Sequence, residues 1–247
     1  MPQGPALLIT RPEPDAQLTA HRMHAIGLHA VLAPLLEMHL LPAQLPDSQL
    51  LGAIAFTSAN AIRAMQQTNQ FDALLHLPVF CVGDRTADFA TAAGFENVTS
   101  ANGDFGDLVS LLSKQEFNQA VFYPTAAHVS GDLAQALSPF NLPVLCLPIY
   151  EMRAIKSLPQ DVVAMLKSDE ISAVSLYSRR TAEIFCSLVD DVLSKRSRTK
   201  ITALCLSENV AAPMITHHFN RVCLADYPSE EAMMALALSF ARDQIRQ

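Results

Sequence analysis

The sequence predicts an α/β fold carried on two parallel sheets, and three observations predict it. Short apolar runs alternate with amphipathic stretches along the whole chain. The second half of the chain repeats the first, element for element. Two nearly identical pentapeptides, "PLLEM" at 34–38 and "PIYEM" at 148–152, stand at matching places in the two halves.

The elements follow in order. In the first half the apolar runs are "ALLIT" (6–10), "HAVLA" (29–33), "AIAFTS" (53–58) and "VFCVG" (79–83). In the second they are "AVFYP" (120–124), "PVLCLP" (143–148), "AVSLYS" (173–178) and "ALCLS" (203–207). Runs this short, rich in β-branched and aromatic residues, fit strands buried on both faces. The stretches between them carry helical spacing, as in Leu18, Met23 and Ile26, or Leu108, Leu111 and Leu112. Helix starts are marked by Pro14 or Asp15, by Asp84 after a strand ending at Val82, and by "YPSEEA" (227–232). In the last, Ser229 can cap, and Glu230 and Glu231 suit the positive helix end.

The repeat starts from the pentapeptides, which lie 114 residues apart. At that offset Ile9 meets Tyr123, Met23 meets Leu137, Gly27 meets Asn141 and Leu28 meets Leu142. Further on, "AIAFTSANAIRAM" (53–65) resembles "AVSLYSRRTAEIF" (173–185) at an offset of 120. "VGDRTADFATAAGFENVTSA" (82–101) matches "LSENVAAPMITHHFNRVCLA" (206–225) at 124 without a gap. The conserved order and small drift point to a duplication with loop insertions. Two halves of this kind imply two sheets with a cleft between them.

Composition narrows the function. The chain has 247 residues, half of them hydrophobic and 17% charged, enough for one large domain or two ordinary ones with a sizeable core. A formal charge of -7 argues against a nucleic-acid partner, since neutralising phosphates needs a basic surface. The basic cluster Lys195–Lys200 is expected to be a solvated turn ahead of a strand. The five cysteines form no CxxC. Four lie in apolar runs, which points to buried, reduced thiols and a reducing compartment. The start, "MPQGPALLITRPEP", has no basic segment followed by a long apolar one, and no apolar run reaches the ~18 residues of a membrane span. A soluble, cytoplasmic protein without a membrane partner is the expectation.

No nucleophile elbow, Walker loop or G-x-G-x-x-G is present, and neither close histidine pair, His21/His24 or His217/His218, has a carboxylate at zincin spacing, so no metal is expected. The candidate contacts lie at strand ends, the edge where open α/β sheets bind ligands. "FTSAN" places Thr57, Ser58 and Ala59 there, and "LYSRR" places Ser178, as helix caps, ligand contacts or both. "VGDRTA" is a strand–turn–helix in which Gly83 lets backbone approach a ligand and the amides near Arg85 and Thr86 would face an anion. Its twin "LSENVA" has Ser207 and Val210 at the matching positions. "ITRP" places Thr10 and Arg11 at another strand end, where Arg11 could hold a carboxylate or be an ordinary surface arginine.

Taken together, "LLITRP", "PLLEM", "AIAFTSANAI", "FCVGDRTADFATAAGF", "PIYEM" and "YPSEEAMMALAL" resemble the uroporphyrinogen-III synthase family over nearly the whole chain. The motifs are loose one by one; their order and spacing make them specific. The resemblance implies two flavodoxin-like, doubly wound α/β domains joined by a two-stranded linker. The first domain would be discontinuous, at 1–34 plus 154–247, the second would cover 39–148, and 35–38 and 149–153 would be the linkers. The repeat alone would divide the chain near residue 117.

The resemblance also implies an activity: cofactor-free closure of hydroxymethylbilane to a macrocycle, with loss of water and inversion of ring D. Tyr150 matches the family's tyrosine after the second crossing, where a phenol would donate a proton or hydrogen bond to the departing hydroxyl. Otherwise it is a hinge aromatic packed between domains. The substrate carries eight carboxylates, and Arg11, Arg85, Arg153, Arg179 and Arg180 are the better cations for them. In so acidic a chain, helix N-termini and backbone amides are expected to bind most of these groups. Ser207 and Val210 depart from the family's glycine and threonine, and Ala126 and Ser130 from its glycine and basic residue, which puts the contacts at those loops in doubt. A monomer is expected. The rival readings are a non-catalytic two-domain binding protein on the same fold and a flavodoxin-like electron carrier. The absence of Trp, and Pro12 and Pro14 where a phosphate loop would be, weigh against the carrier.

Overall fold

A computed structural model describes residues 6–129 and 131–245. Ser130, one of the departures above, and the first five residues of the leading segment lie outside the described residues. Eleven strands occur among the described residues: β1 (Ala6–Ile9), β2 (His29–Leu32), β3 (Leu36–Leu40), β4 (Leu51–Phe56), β5 (Val79–Cys81), β6 (Val98–Ser100), β7 (Ala120–Ala126), β8 (Val144–Ala154), β9 (Ile171–Leu176), β10 (Thr202–Cys205) and β11 (Arg221–Leu224). The helices are α1 (Asp15–Ala25), α2 (Ala59–Met65), α3 (Asp84–Ala92), α4 (Phe105–Leu112), α5 (Leu133–Leu137), α6 (Gln160–Lys167), α7 (Arg179–Val189), α8 (Lys195–Arg198), α9 (Glu208–Thr216) and α10 (Glu230–Ile245). Every apolar run read as a strand is one. β6 is three residues of which only Val98 is apolar, and β11 opens on Arg221, so neither stands out in the sequence.

The chain divides into two compact units, one of residues 1–37 and 153–247, the other of residues 38–152. The discontinuous unit carries a sheet in the order β11-β10-β9-β1-β2. The continuous unit carries β3-β8-β7-β4-β5-β6. Apart from β3, the two sheets place matching repeats at matching positions, so β2-β1-β9-β10-β11 corresponds to β8-β7-β4-β5-β6. The halves are interleaved. Each sheet takes two strands from the start of one half and three from the end of the other. The pairings among these ten strands are parallel.

The interleaving puts a chain crossing at each pentapeptide. β3 lies beside β8. The bonds Leu41 N–H to Ile149 O (2.9 Å) and Ile155 N–H to Leu35 O (3.1 Å) bracket an antiparallel register over the crossings.

Each sheet buries both faces, as continuous apolar runs require. In the discontinuous unit, Leu8, Val174 and Ala203 pack with α6, α7 and α9, while Leu7, Ala173 and Leu204 pack with α1 and α10. In the continuous unit, Ile54, Phe56 and Phe122 pack with α2 and α3, while Ala53, Ala55, Val121 and Tyr123 pack with α4 and α5.

Three expectations are corrected. In α1, Leu18 and Ile26 face solvent, and the buried face is Ala16, Thr19, Ala20 and Met23; small residues let this short helix sit close to the sheet. The cluster at 195–200 precedes β10 and exposes Lys195, Arg196 and Lys200 as expected, but it is not wholly a solvated turn. It opens with helix α8, capped by Ser194, and Arg198 is buried, donating to the carbonyls of Leu193, Asp190 and His217 and pairing with Asp190 at 2.9 Å. The five cysteines are free, but Cys146 is exposed on β8, and only Cys81, Cys186 and Cys205 are fully buried. No helix among the described residues is long and apolar enough to cross a membrane.

Candidate active site

Tyr150 reaches its position through a break in strand regularity. β7 and β8 pair residue by residue from Val121↔Val144 to Thr125↔Pro148, then slip so that Ala126 faces Tyr150. The extra residue on β8 is Ile149. Strict alternation would put Tyr150 on the face opposite Ile149. The bulge instead buries Ile149 and Tyr150 together, in the core against α2 and α3. Ala127 N–H closes the slip on Tyr150 O at 2.8 Å.

Tyr150 lines a pocket of about 320 Å³ in the continuous unit, at the carboxyl ends of β4, β5 and β7. Thr57, Val82, Phe105, Tyr123, Thr125, His128 and Gly131 are among its other walls. Gly131 lies close against Phe105: a Cβ there would meet three atoms of its ring at 2.9–3.1 Å, so the ring would have to shift. Among the described lining residues there is no lysine or arginine; His128 is the one that can carry positive charge.

The loop after β4 organises the polar groups. Ser58, extended at φ −157° and ψ 139°, caps α2 by accepting from Asn60 N–H at 3.2 Å. Burial raises the Tyr150 phenol above its ordinary pKa of 10.0, and the Ser58 hydroxyl opposes part of that rise. The neighbouring Thr57 Oγ1 lies 3.1 Å from the hydroxyl of Tyr123, whose pKa burial also raises.

The structure thus brings Thr57 and Tyr150 into one pocket, with Ser58 behind Tyr150 and Ala59 opening α2. Gly83 follows the lining residue Val82. Its backbone (φ −157°, ψ 170°) matches that of Ser207 (φ −161°, ψ 170°), so the twin position accepts a side chain without strain. A Cβ at Gly83 would meet only Gly103 O, at 3.8 Å. Arg85 is exposed at the first turn of α3. Thr86 does not present its amide outward; its N–H bonds Gly83 O at 3.0 Å and the residue is buried.

The remaining candidates belong to the discontinuous unit. Thr10 is fully buried and donates to Ser175 O at 2.7 Å. Ser178 caps α7 through Thr181 N–H. Val210 packs in the core with its N–H on Ser207 O. Arg11, expected to meet a substrate carboxylate, is already matched by two protein carboxylates. It is buried, pairs with Asp15 at 2.9 Å and with Glu230, donates to Thr19, and lies over the Tyr177 ring at 4.2 Å. Arg179 pairs with Glu183 at 2.8 Å on the surface. No group of three or more metal-binding side chains occurs among the described residues.

Tyr123 is the residue that sequence reasoning missed. Its repeat partner is Ile9, so nothing in the duplication marks it. Its place at the end of an apolar strand was the available signal.

A family model described as uroporphyrinogen-III synthase HemD matches residues 17–235. A uroporphyrinogen-III synthase from Synechococcus elongatus is 24% identical over 216 residues, covering 83% of this chain and 82% of the relative. The fold is similar to the crystal structure of a uroporphyrinogen-III synthetase from Helicobacter pylori, with a TM-score of 0.65 and 19% identity over 96% of this chain and 99% of that one. It is also similar to a mutant uroporphyrinogen III synthase from Thermus thermophilus, with a TM-score of 0.57 and 14% identity over 98% of this chain and 100% of the other.

Proposed function

The chain belongs to the uroporphyrinogen-III synthase family, and we propose that the Tyr150 pocket is where it closes hydroxymethylbilane. The protein is a cyclising lyase of tetrapyrrole synthesis. It converts the linear substrate to uroporphyrinogen III with loss of water and inversion of ring D.

The chemistry asks little of the protein at the leaving group. The pyrrole nitrogen pushes the hydroxyl out and leaves an azafulvene cation. Tyr150 donates a hydrogen bond to the departing oxygen. Burial makes its phenol a weaker acid than usual, so complete transfer, which would strand a phenolate in the pocket, is disfavoured against a strong hydrogen bond. The harder step is the choice of attacking carbon. Holding ring D so that its substituted carbon meets the cation is a matter of positioning, which Thr57, the α2 start at Ser58 and Ala59, and the turn at Gly83 and Arg85 would supply. The reading calls for no cofactor, metal, nucleic acid or membrane, and for a single copy of the chain in the cytoplasm.

The observation that carries the proposal is the bulge at Ile149, which turns Tyr150 into the pocket at the carboxyl ends of β4, β5 and β7. The test is freshly prepared hydroxymethylbilane with separation of the type III and type I products. Type III is expected from the wild type, with a slower rate from Tyr150→Phe. Type I alone, as in buffer, would overturn the activity. An unchanged rate in Y150F would remove the hydroxyl from the mechanism.

A further inference from the structure

Two phenols, not one, converge on this pocket, and they come from opposite faces of the sheet. The Tyr150 ring packs in the core against α2 and α3, and the Tyr123 ring in the core against α4 and α5. Their exposures are 4% and 2%. Thr57, in the loop after β4, lies 3.1 Å from the Tyr123 hydroxyl, and its neighbour Ser58 acts on the Tyr150 phenol. We propose that the Thr57–Tyr123 hydroxyl pair is a second substrate contact, which binds a carboxylate arm of the ring that turns over and so sets which isomer forms. This rests on the proposed activity.

Three physical points lead there. The first concerns the proton count. Whichever of Thr57 and Tyr123 donates across their 3.1 Å bond, one hydroxyl proton stays unused by the pair. A neutral O–H aimed into a pocket lined by no lysine or arginine among its described residues suits a carboxylate oxygen, a charge-assisted bond stronger than a neutral one. The second point is rigidity. Both rings are clamped by packed cores, so their hydroxyls keep a fixed separation, which is what selection between two poses requires. Lastly, turning ring D over exchanges the places of its acetate and propionate arms. A fixed contact to one arm therefore favours one pose, whereas a contact at the leaving hydroxyl acts alike on both outcomes. Burial keeps the Tyr123 phenol protonated, so it acts as a donor and not as a base.

The test compares wild type with Y123F, T57V, T57S and Y150F on fresh hydroxymethylbilane, reading the consumption rate and the type III to type I ratio separately. Y123F keeps the packed ring and removes one oxygen; T57V and T57S remove and keep the Thr57 hydroxyl at nearly constant shape. The expected result is a type III to type I ratio lower by on the order of tenfold in Y123F and T57V, restored in T57S, with consumption slowed less than in Y150F. An unchanged ratio in Y123F, or in T57V should Y123F not fold, overturns the proposal and leaves the activity standing. Type I alone from the wild type overturns both.

Discussion

Gly94 and His218, 124 residues apart, both take a positive φ just past the ends of α3 and α9, at 107° and 65°. The hydrogen bonds match too. Phe95 N–H reaches Ala90 O at 3.2 Å, and Phe219 N–H reaches Met214 O at 3.0 Å. Both helices therefore close with the same C-terminal motif and bury the phenylalanine that follows. Gly27 and Asn141 repeat this likeness at an offset of 114, at φ 81° and 54°. The duplication survives in backbone geometry where the side chains have diverged.

A left-handed position costs a residue with a Cβ about 1 kcal/mol that glycine does not bear. Gly94→Ala should destabilise the protein by about that much, and His218→Gly should stabilise it by a few tenths to about 1 kcal/mol. Denaturant unfolding of both variants checks this. Destabilisation by His218→Gly would mean that the imidazole makes a contact outweighing the strain.

Arg11 holds the ends of its unit together. Removing it takes away the cation that Asp15 and Glu230 share and leaves two half-buried carboxylates close together. Arg11→Met should cost about 3–5 kcal/mol, and the double variant with Glu230→Gln should cost less than the sum of the two. The loss is expected in stability, with KM near the wild-type value. A large rise in KM without loss of stability would restore Arg11 as a substrate contact.

Alkaline pH should unfold the protein early. Burial pushes the Cys81, Cys186 and Cys205 thiols from 9.0 up to about 12, and the Tyr177 phenol from 10.0 to about 12. The folded state keeps these protons over a window in which the unfolded chain has lost them. Stability is therefore fully present below pH 9 and falls as pH rises towards 12, by about 1.4 kcal/mol per unit for each such group within its own window. Thermal melts from pH 7 to 11 read this directly. The same burial predicts thiol reactivity, with exposed Cys146 modified quickly and the three buried thiols only on unfolding. Cys146→Ser should remove the fast phase.

Salt should matter little to binding. With no lysine or arginine among the described pocket residues, backbone and hydroxyl donors are expected to carry the carboxylates of the proposed substrate. Raising salt from 50 to 500 mM should change KM by no more than about threefold. A steep power-law loss would show that several cations bind the substrate.

Much of this was legible because parallel strands covered on both faces leave a strong mark. "AIAFTS" and "AVSLYS" cannot be exposed on either side, and both became central strands. The hydroxyls at Thr57 and Ser58 were legible for the same reason, since the end of a buried strand is where side chains first meet solvent. Leu18 and Ile26 misled because helical spacing marks a stripe without saying which side of it faces the sheet. Tyr123 escaped notice because a tyrosine in an apolar strand is normally core, and its hydroxyl gains meaning only beside Thr57, 66 residues earlier.

The sequence by itself determined the eight apolar strands and the duplication. These are local or self-similar properties, written in hydrophobic period and repeat offset. Only the tertiary structure decided which sheet each strand joins. The strand after "PLLEM" could pair within its own half, and the interleaved order follows from how the two cores close. It also decided that Glu230, 219 residues away, neutralises Arg11. Finally it decided the face of β8 that Tyr150 occupies, because a one-residue slip against β7 reverses what strict alternation dictates. The twin pentapeptides record where the crossings fall; the bulge at Ile149 puts the tyrosine of the second copy in the pocket.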